Sequence, residues 1–271
     1  MKPAAVLGTR MAGLAALAAV GYAALLALLW ATQERMIFQP QPLPASHRFD
    51  FGADVHETWV DVDGARLNAL HLRLPAPDGV VFFLHGNAGN LQGWFAGADL
   101  YRRANHDLFM IDYRGYGKSG GRIASQAQLE ADVRAAWAAV APHYAGRRRV
   151  IVGRSIGAAL AATLAAEVRP DLTVLVSPFE SLRALAGEIH PWAPSALLRY
   201  PLRTDEALAR VDTPVWLVHG DADEVIPFAH GERLHARVAH GTLRRVPGGG
   251  HNDLDAHPAY REAMLAALRA R

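Results

Sequence analysis

A serine lies inside a glycine-flanked pentapeptide, Gly153-Arg154-Ser155-Ile156-Gly157. A β-branched run at 150–152 precedes this segment, and an alanine- and leucine-rich run at 158–167 follows it. This order predicts a strand, a sharp turn and a helix, a geometry that exposes the serine Oγ at the helix N-terminus. Glycines on both sides leave room for the neighbouring backbone. Ser155 is therefore the candidate nucleophile, although a serine that only caps the helix would occupy the same position.

A serine hydroxyl is a weak nucleophile at neutral pH and needs a base that a carboxylate orients. Downstream, an apolar run at 215–218 leads into an acidic turn that contains Asp223. Another strand-like run, 243–246, leads into a glycine-rich loop that carries His251. Because the carboxyl ends of parallel strands meet at one edge of a sheet, we expect an acid and a base from these loops beside Ser155.

Five motifs in this order resemble the α/β-hydrolase superfamily, and more closely the membrane-anchored bacterial serine hydrolases of the Bem46 and ABHD13 type. The resemblance runs from about residue 56 to the C-terminus. It implies the α/β-hydrolase fold and a hydrolytic mechanism, but says little about substrate. The matching segments are 85–90, 112–119, 153–157, 219–225 and 250–253.

Several carboxylates compete for the role of the acid. The family pattern places the acid three residues after the glycine that ends the strand, which selects Asp223. Asp221 and Glu224 lie in the same turn, and Asp221 is interpreted as a structural turn residue. Glu180 follows an earlier strand and is a more distant rival, because some hydrolases take their acid from that loop.

The resemblance also assigns the base and the oxyanion hole. His251 is the expected base, whereas His219 is interpreted as a core histidine and His85 as a brace for the loop that contains it. Two backbone N–H groups are expected to hold the developing oxyanion, those of Ile156 and Asn87.

Composition narrows the classes of function. Lys and Arg total 28 and Asp and Glu total 26, so the net charge is +2. No basic patch is interleaved with aromatic residues, and we expect no nucleic-acid partner. The chain has no cysteine, which excludes a thiol nucleophile, disulfides and cysteine-ligated zinc. It shows no dinucleotide fingerprint, P-loop or metal-ligand spacing, and we expect no cofactor and no metal ion.

The N-terminal stretch at 11–31 carries no charged residue. As a helix that rises about 1.5 Å per residue, it would span roughly 30 Å, the hydrocarbon thickness of a bilayer. Lys2 and Arg10 precede it, and this basic flank predicts a membrane-anchored protein with its catalytic domain on the exported, periplasmic side. A cleaved signal peptide is the alternative. The long apolar stretch and the poor cleavage sites near Trp30 favour an uncleaved anchor.

The predicted organisation has four parts: a short flank (1–10), a transmembrane helix (11–31), a proline-containing linker (32–55) and one α/β-hydrolase domain (56–271). Strand-like runs alternate with helical ones after an initial hairpin, which predicts a mostly parallel, eight-stranded sheet with helices on both faces. We expect no catalytic element upstream of about residue 56.

The segment 177–203 lies where this fold commonly inserts a lid. It is short and is predicted to hold a helical turn or two, a minimal lid. We therefore expect an open site that favours short acyl chains. Four apolar side chains of this segment are candidates for a substrate pocket, and equally for plain core: Phe179, Ile189, Trp192 and Leu197.

Together these features predict a membrane-tethered serine hydrolase that cleaves an ester or thioester of a small-molecule or lipid acyl substrate. Ser155, His251 and Asp223 would form its triad. A peptidase, an amidase or an acyltransferase would use the same triad. The alternative from another class is a catalytically silent, membrane-bound interaction module. The sequence leaves the oligomeric state open.

Overall fold

The computed structural model describes residues 3–270, so Lys2 lies outside the described residues. In chain order, the strands are β1 (Gln39–Pro40), β2 (Val55–Val62), β3 (Ala65–Leu72), β4 (Gly79–Leu84), β5 (Ala88–Gly89), β6 (His106–Ile111), β7 (Arg148–Arg154), β8 (Leu172–Val176), β9 (Val215–Gly220) and β10 (Gly241–Val246). Eight of them form one sheet in the order β10-β9-β8-β7-β4-β6-β3-β2. The β2–β3 and β3–β6 pairs are antiparallel, and the other pairs of this sheet are parallel.

Helices cover both faces of this sheet. They are α1 (Pro3–Ile37), α2 (Leu91–Trp94), α3 (Asp99–Arg103), α4 (Gln126–Val140), α5 (Ile156–Val168), α6 (Leu182–Ile189), α7 (Thr204–Leu208), α8 (Ala229–His235) and α9 (Pro258–Arg269). The helices α4, α5, α7 and α8 pack on one face, whereas α2, α3 and α9 pack on the other. The predicted fold, a mostly parallel sheet between two helical layers, is confirmed.

The central strands are buried on both sides. In β4, Val80, Phe82 and Leu84 face one core cluster. Val81 and Phe83 point into the other cluster. This two-sided burial explains why the strand reads as a continuous apolar run rather than as an alternating pattern.

The helix α1 is longer than the predicted transmembrane segment. It continues without a break to Ile37, so the first residues of the segment predicted as a linker are helical. No proline interrupts the helix before Pro40, and Gln33 and Glu34 bond to the domain. The part Arg10–Ile37 is long and apolar enough to cross a membrane, and an 18-residue stretch within it has a mean hydropathy of 2.2. After it, β1 pairs in parallel with β5.

The segment 177–203 forms the predicted minimal lid. It contains the short helix α6 and one 3-10 turn, Ser195–Leu197. Ser181 caps α6, because its hydroxyl accepts the N–H of Ala184.

Candidate active site

The backbone at Ser155 is strained. Ser155 joins β7 to α5 with a φ of 56°, a left-handed conformation that costs a non-glycine residue about 1–3 kcal/mol. A Cβ on Gly157 would lie 2.1 Å from the carbonyl oxygen of Leu84. A Cβ on Gly153 would lie 2.2 Å from the carbonyl oxygen of Gly157. Both positions therefore require glycine, and the close packing they permit holds the turn that presents the serine.

Three loops bring the predicted catalytic side chains together. His251 Nε2 lies 3.2 Å from Ser155 Oγ, and His251 Nδ1 lies 2.9 Å from Asp223 Oδ2. The loops follow β7, β9 and β10, which end at the same edge of the sheet. When Nδ1 donates its proton to the carboxylate, Nε2 is free to accept the serine proton. The arrangement thus links a hydroxyl, an imidazole and a carboxylate in one hydrogen-bonded chain.

The carboxylate of Asp223 is buried and well supported. Its Oδ1 accepts the N–H groups of Val225 and Ile226 at 3.0 and 2.7 Å. Burial alone would raise the pKa of Asp223, but hydrogen bonds from His219, His251 and the Ile226 N–H hold it well below its ordinary value. His219 is itself buried, with Nε2 2.9 Å from the Ile226 carbonyl oxygen. Asp223 is therefore an anion that orients the imidazole of His251.

The rival carboxylates have other partners. Asp221 accepts a hydrogen bond from Arg245 at 2.7 Å on the exposed side of the turn. Glu180 belongs to a cluster of ion pairs with α8. Glu224 accepts the backbone N–H of His251 at 3.4 Å, a contact that fixes the loop rather than the imidazole.

The two predicted oxyanion donors face the cavity beside the serine. Asn87 and Ile156 line the same cavity as Ser155. The carbonyl oxygen of Asn87 accepts the Gln39 N–H at 2.8 Å and the Tyr116 hydroxyl at 2.5 Å, which fixes the orientation of that loop. Within residues 3–270, the N–H groups of Asn87 and Ile156 have no protein acceptor. The Ile156 N–H also lies at the positive end of α5. The role of these two N–H groups as oxyanion donors stays a prediction.

His85 braces this loop, as predicted. Its side chain is fully buried, with Nδ1 2.8 Å from the Gly86 carbonyl oxygen. The hydroxyl of Tyr113 donates to the His85 carbonyl oxygen at 2.9 Å. The imidazole also stacks on Trp94.

Arg154 is a residue that the sequence analysis missed. Its buried guanidinium donates to the carbonyl oxygen of His251 at 2.8 Å and to Asp255 at 2.8 Å. It also lies over the ring of Trp94, 5.4 Å from the centroid. Arg154 therefore ties the loop of the base to the strand that ends at Ser155. A charged residue at the end of an apolar strand is the signal that would have pointed to it.

A largely apolar cavity of about 540 Å³ opens beside the serine. Three of the four predicted pocket residues, Phe179, Ile189 and Leu197, line it. Trp192 is not among its lining residues. The Trp192 side chain is half exposed, and its carbonyl oxygen accepts the Tyr22 hydroxyl at 2.8 Å. Trp192 follows the end of α6, and its backbone contacts α1 at Tyr22. The prediction that Trp192 lines the pocket is therefore wrong.

The cavity is lined in part by residues upstream of residue 56, where the sequence analysis expected no catalytic element and named no pocket residue. Gln33 is buried beside the cavity, where Nε2 donates to the Leu197 carbonyl oxygen at 2.8 Å and Oε1 accepts the Arg199 N–H at 2.9 Å. A helix that is apolar on every side gives no periodic signal for the face that packs. The upstream residues that line the cavity are Leu29, Trp30, Gln33, Met36, Ile37 and Gln39.

The sheet, the serine elbow and the loops at its edge define an α/β hydrolase. The family model described as serine aminopeptidase, S33, matches residues 75–200. An uncharacterized protein of Mycobacterium tuberculosis (strain CDC 1551 / Oshkosh) is 34% identical over 94% of this chain and 92% of its own length. Alpha/beta hydrolase domain-containing protein 17B of Homo sapiens is 32% identical over 74% of this chain and 70% of its own length. The chain belongs to the α/β-hydrolase superfamily.

Solved structures agree on the fold. The Pyrococcus furiosus esterase Pf2001 superposes with a TM-score of 0.67 at 17% identity, over 85% of this chain and 97% of that one. Est1E from Butyrivibrio proteoclasticus, solved with ferulic acid, gives a TM-score of 0.62 at 19% identity, over 78% and 96%. These solved structures show the fold alone, whereas the relatives above make the chain a hydrolase of this superfamily. Its placement in the Bem46 and ABHD13 branch stays a prediction.

Proposed function

We propose that the chain is a serine hydrolase that cleaves an ester or thioester through an acyl-enzyme. The observation that carries this proposal is the chain of hydrogen bonds from Ser155 through His251 to Asp223, beside an apolar cavity. This is the arrangement that activates a serine hydroxyl on several unrelated folds.

In the acylation step, Ser155 Oγ attacks the acyl carbon while His251 Nε2 takes the hydroxyl proton. The N–H groups of Asn87 and Ile156 hold the tetrahedral oxyanion. The imidazolium, stabilised by Asp223, then protonates the leaving oxygen or sulfur as the bond to the acyl carbon breaks. In the second step His251 deprotonates a water molecule that attacks the acyl carbon. The bond from the acyl carbon to Ser155 Oγ then breaks, the imidazolium returns the proton to Oγ, and the free acid leaves.

The lining of the cavity favours an acyl ester over the peptide substrate of an aminopeptidase. A free α-amine is a cation that needs an acidic partner when it leaves water. The described residues that line the cavity include no Asp or Glu, and most are apolar. Amidase and acyltransferase activities use the same triad, and a screen of acyl substrates in the presence of water or an acceptor alcohol separates them.

We also propose that α1 anchors the protein in a membrane, with the catalytic domain on the exported side. The apolar part of α1 is not buried against the domain, and Arg10 lies at its N-terminal end. Trp30 and Gln33 contact the domain, which supports an uncleaved anchor. Full-length protein is expected to resist carbonate extraction from membranes, and protease added outside spheroplasts is expected to digest the domain. Protection would reverse the orientation.

A fluorophosphonate probe tests the enzymatic proposal directly. Wild-type protein is expected to react at Ser155, and Ser155→Ala is expected to stay unlabelled with an unchanged melting temperature. A folded wild-type protein that fails to label would favour the silent interaction module.

A further inference from the structure

The apolar cavity lies between the triad and the N-terminal helix. We propose that the last turns of α1 form the acyl-binding wall of the site, and that the substrate is an amphiphile whose long acyl chain reaches the site from the bilayer. This inference rests on the proposed function, since it names the substrate class of the same site.

One face of α1 is directed at the cavity. The lining residues recur one, four, seven and eight positions after the first, which is the spacing of a single helix face. The neighbouring Leu28 is 60% exposed and is not part of the lining. The residues on the cavity face are Leu29, Trp30, Gln33, Met36 and Ile37.

The helix α6 forms the opposite wall. Its lining side chains follow the same kind of spacing, at the first position and then three, four and seven residues on. An apolar channel therefore runs between two helices and ends at the serine. The α6 side chains with this spacing are Leu182, Leu185, Ala186 and Ile189, and Gly187 lies among them.

A polar clamp fixes α1 against the lid. Both ends of the Gln33 amide bond to the backbone of the lid, at Leu197 and Arg199. Glu34 pairs with the Arg199 guanidinium at 2.7 Å and accepts the Tyr200 hydroxyl at 3.0 Å. A loose tether would not make such contacts, so this part of α1 is a fixed part of the site.

The rim of the cavity is apolar and exposed. Trp30, Ile189 and Val225 line the cavity, yet they are 50%, 56% and 42% exposed. Exposed apolar patches of this kind mark contact with a membrane or a partner, and Trp30 ends the apolar stretch where a membrane interface is expected. An acyl chain can therefore pass from the bilayer into the cavity without crossing water.

This wall changes the expected chain length. The short lid alone predicts an open site for short acyl chains. From Leu29 to Ile37, however, α1 adds a wall of about 12 Å at about 1.5 Å per residue. It takes the place of the cap domain that the chain lacks, and we expect a preference for medium and long chains.

The test compares two neighbouring positions on α1. Full-length protein in phosphatidylcholine vesicles is assayed for kcat/KM on p-nitrophenyl acetate and p-nitrophenyl dodecanoate. Leu29→Trp fills the channel, and each excluded methylene is worth about tenfold or more. We expect the dodecanoate-to-acetate ratio of kcat/KM to fall at least about tenfold. The matched control Leu28→Trp is expected to keep the wild-type ratio. Equal ratios in the two variants would overturn the proposal that α1 forms the acyl-binding wall.

A second pair of variants controls for misfolding. Leu29→Ser and Leu28→Ser lose the same apolar side chain from the same helix, and only Leu29→Ser is expected to lower the ratio. Ser155→Ala separates this inference from the proposed function: turnover that survives in Ser155→Ala refutes the triad. If Ser155→Ala loses turnover but every α1 variant keeps the wild-type ratio, the triad stands and only the acyl-binding role of α1 is refuted.

Access from the bilayer is tested by where the substrate resides. We expect p-nitrophenyl hexadecanoate to be hydrolysed at a several-fold higher initial rate when it shares vesicles with the protein than when separate vesicles carry it. Equal initial rates would overturn access from the bilayer.

Discussion

The two sides of the cavity are built in different ways. On the catalytic side, each side chain lies in a short loop directly after a strand, so the sheet places Ser155, Asp223 and His251 within hydrogen-bond distance of one another. On the opposite side, α1 and the lid are held by bonds between residues far apart in the chain, such as Gln33 and Leu197. The position of the candidate catalytic groups therefore depends on the sheet. The shape of the substrate cavity depends on segments that the sheet does not position.

The catalytic side is expected to respond to substitution with the largest effects. Ser155→Ala and His251→Ala are each expected to lower kcat by about 10⁴-fold or more, because nucleophile and base act as a unit. For the same reason the double variant is expected to be little worse than either single one. Kinetics on a soluble p-nitrophenyl ester, with melting temperatures as the control for folding, provide the measurement. Additive losses would contradict the assignment.

The acid provides a sharper test of the same side. Asp223→Asn is expected to lower kcat by about 10⁴-fold, because an amide cannot stabilise the imidazolium and favours the wrong tautomer. Asp221→Asn removes a carboxylate from the same turn and serves as the matched control, with near wild-type turnover expected. The reverse outcome would move the role of the acid to Asp221.

Arg154 connects the two catalytic loops, and its loss tests how tightly the sheet positions them. Arg154→Met removes the hydrogen bond to the His251 carbonyl oxygen and is expected to lower kcat by about 10²-fold, as small displacements of a catalytic group do. We expect a smaller change in KM. Arg245→Met, which removes an exposed arginine from β10, is the control. Equal effects of the two variants would exclude a positioning role for Arg154.

The wall side is expected to respond more weakly and with dependence on substrate. Gln33→Ala removes two hydrogen bonds to the lid, each worth roughly 1 kcal/mol. The expected result is a KM that rises about tenfold for a dodecanoyl ester and less for an acetyl ester. Thr32→Ala is the control, because the Thr32 hydroxyl bonds only within α1. A loss of kcat as large as that of Ser155→Ala would erase the distinction between the two sides.

A buried histidine far from the catalytic edge is expected to affect stability alone. Burial lowers the pKa of His71, on β3, to about 3, whereas a histidine in the unfolded chain titrates near 6.5. As the pH falls below about 6.5 the unfolded state takes up the proton first, so the free energy of unfolding decreases down to about pH 3. Urea unfolding at pH 7 and pH 5 is expected to show a smaller difference for His71→Gln than for wild type. An unchanged difference would contradict this source of acid sensitivity.

The fold and the proximity of the three candidate catalytic residues were predictable for local reasons. The elbow depends on glycine at positions 153 and 157. A side chain at Gly153 would collide with the backbone of Gly157, and one at Gly157 would collide with the backbone of Leu84 on the neighbouring strand. The acid and the base follow apolar strands, and parallel strands end at one edge. Their assembly was therefore implied by the order of the elements.

The wall could not be predicted in the same way. A uniformly apolar segment is compatible with lipid on every side, and nothing in its pattern marks the face that Leu29 and Ile37 present to the cavity. The partner of Gln33 is a backbone carbonyl 164 residues away, which no side-chain pattern encodes. The role of Arg154 was not predicted for the same reason, because its guanidinium bonds to a backbone carbonyl oxygen, that of His251.

The unbroken run of α1 limits which parts of the molecule are interchangeable. Apolar residues of a membrane anchor can usually replace one another, because lipid tails contact all of them alike. Upstream of Tyr22, whose hydroxyl bonds to the Trp192 carbonyl oxygen, the helix has this freedom, and a foreign anchor spliced there would leave the cavity intact. From Leu29 to Ile37 one side of the same helix belongs to the cavity, so an exchange there would alter the choice of substrate. The boundary between the exchangeable part of the anchor and the part that the cavity fixes therefore lies inside α1.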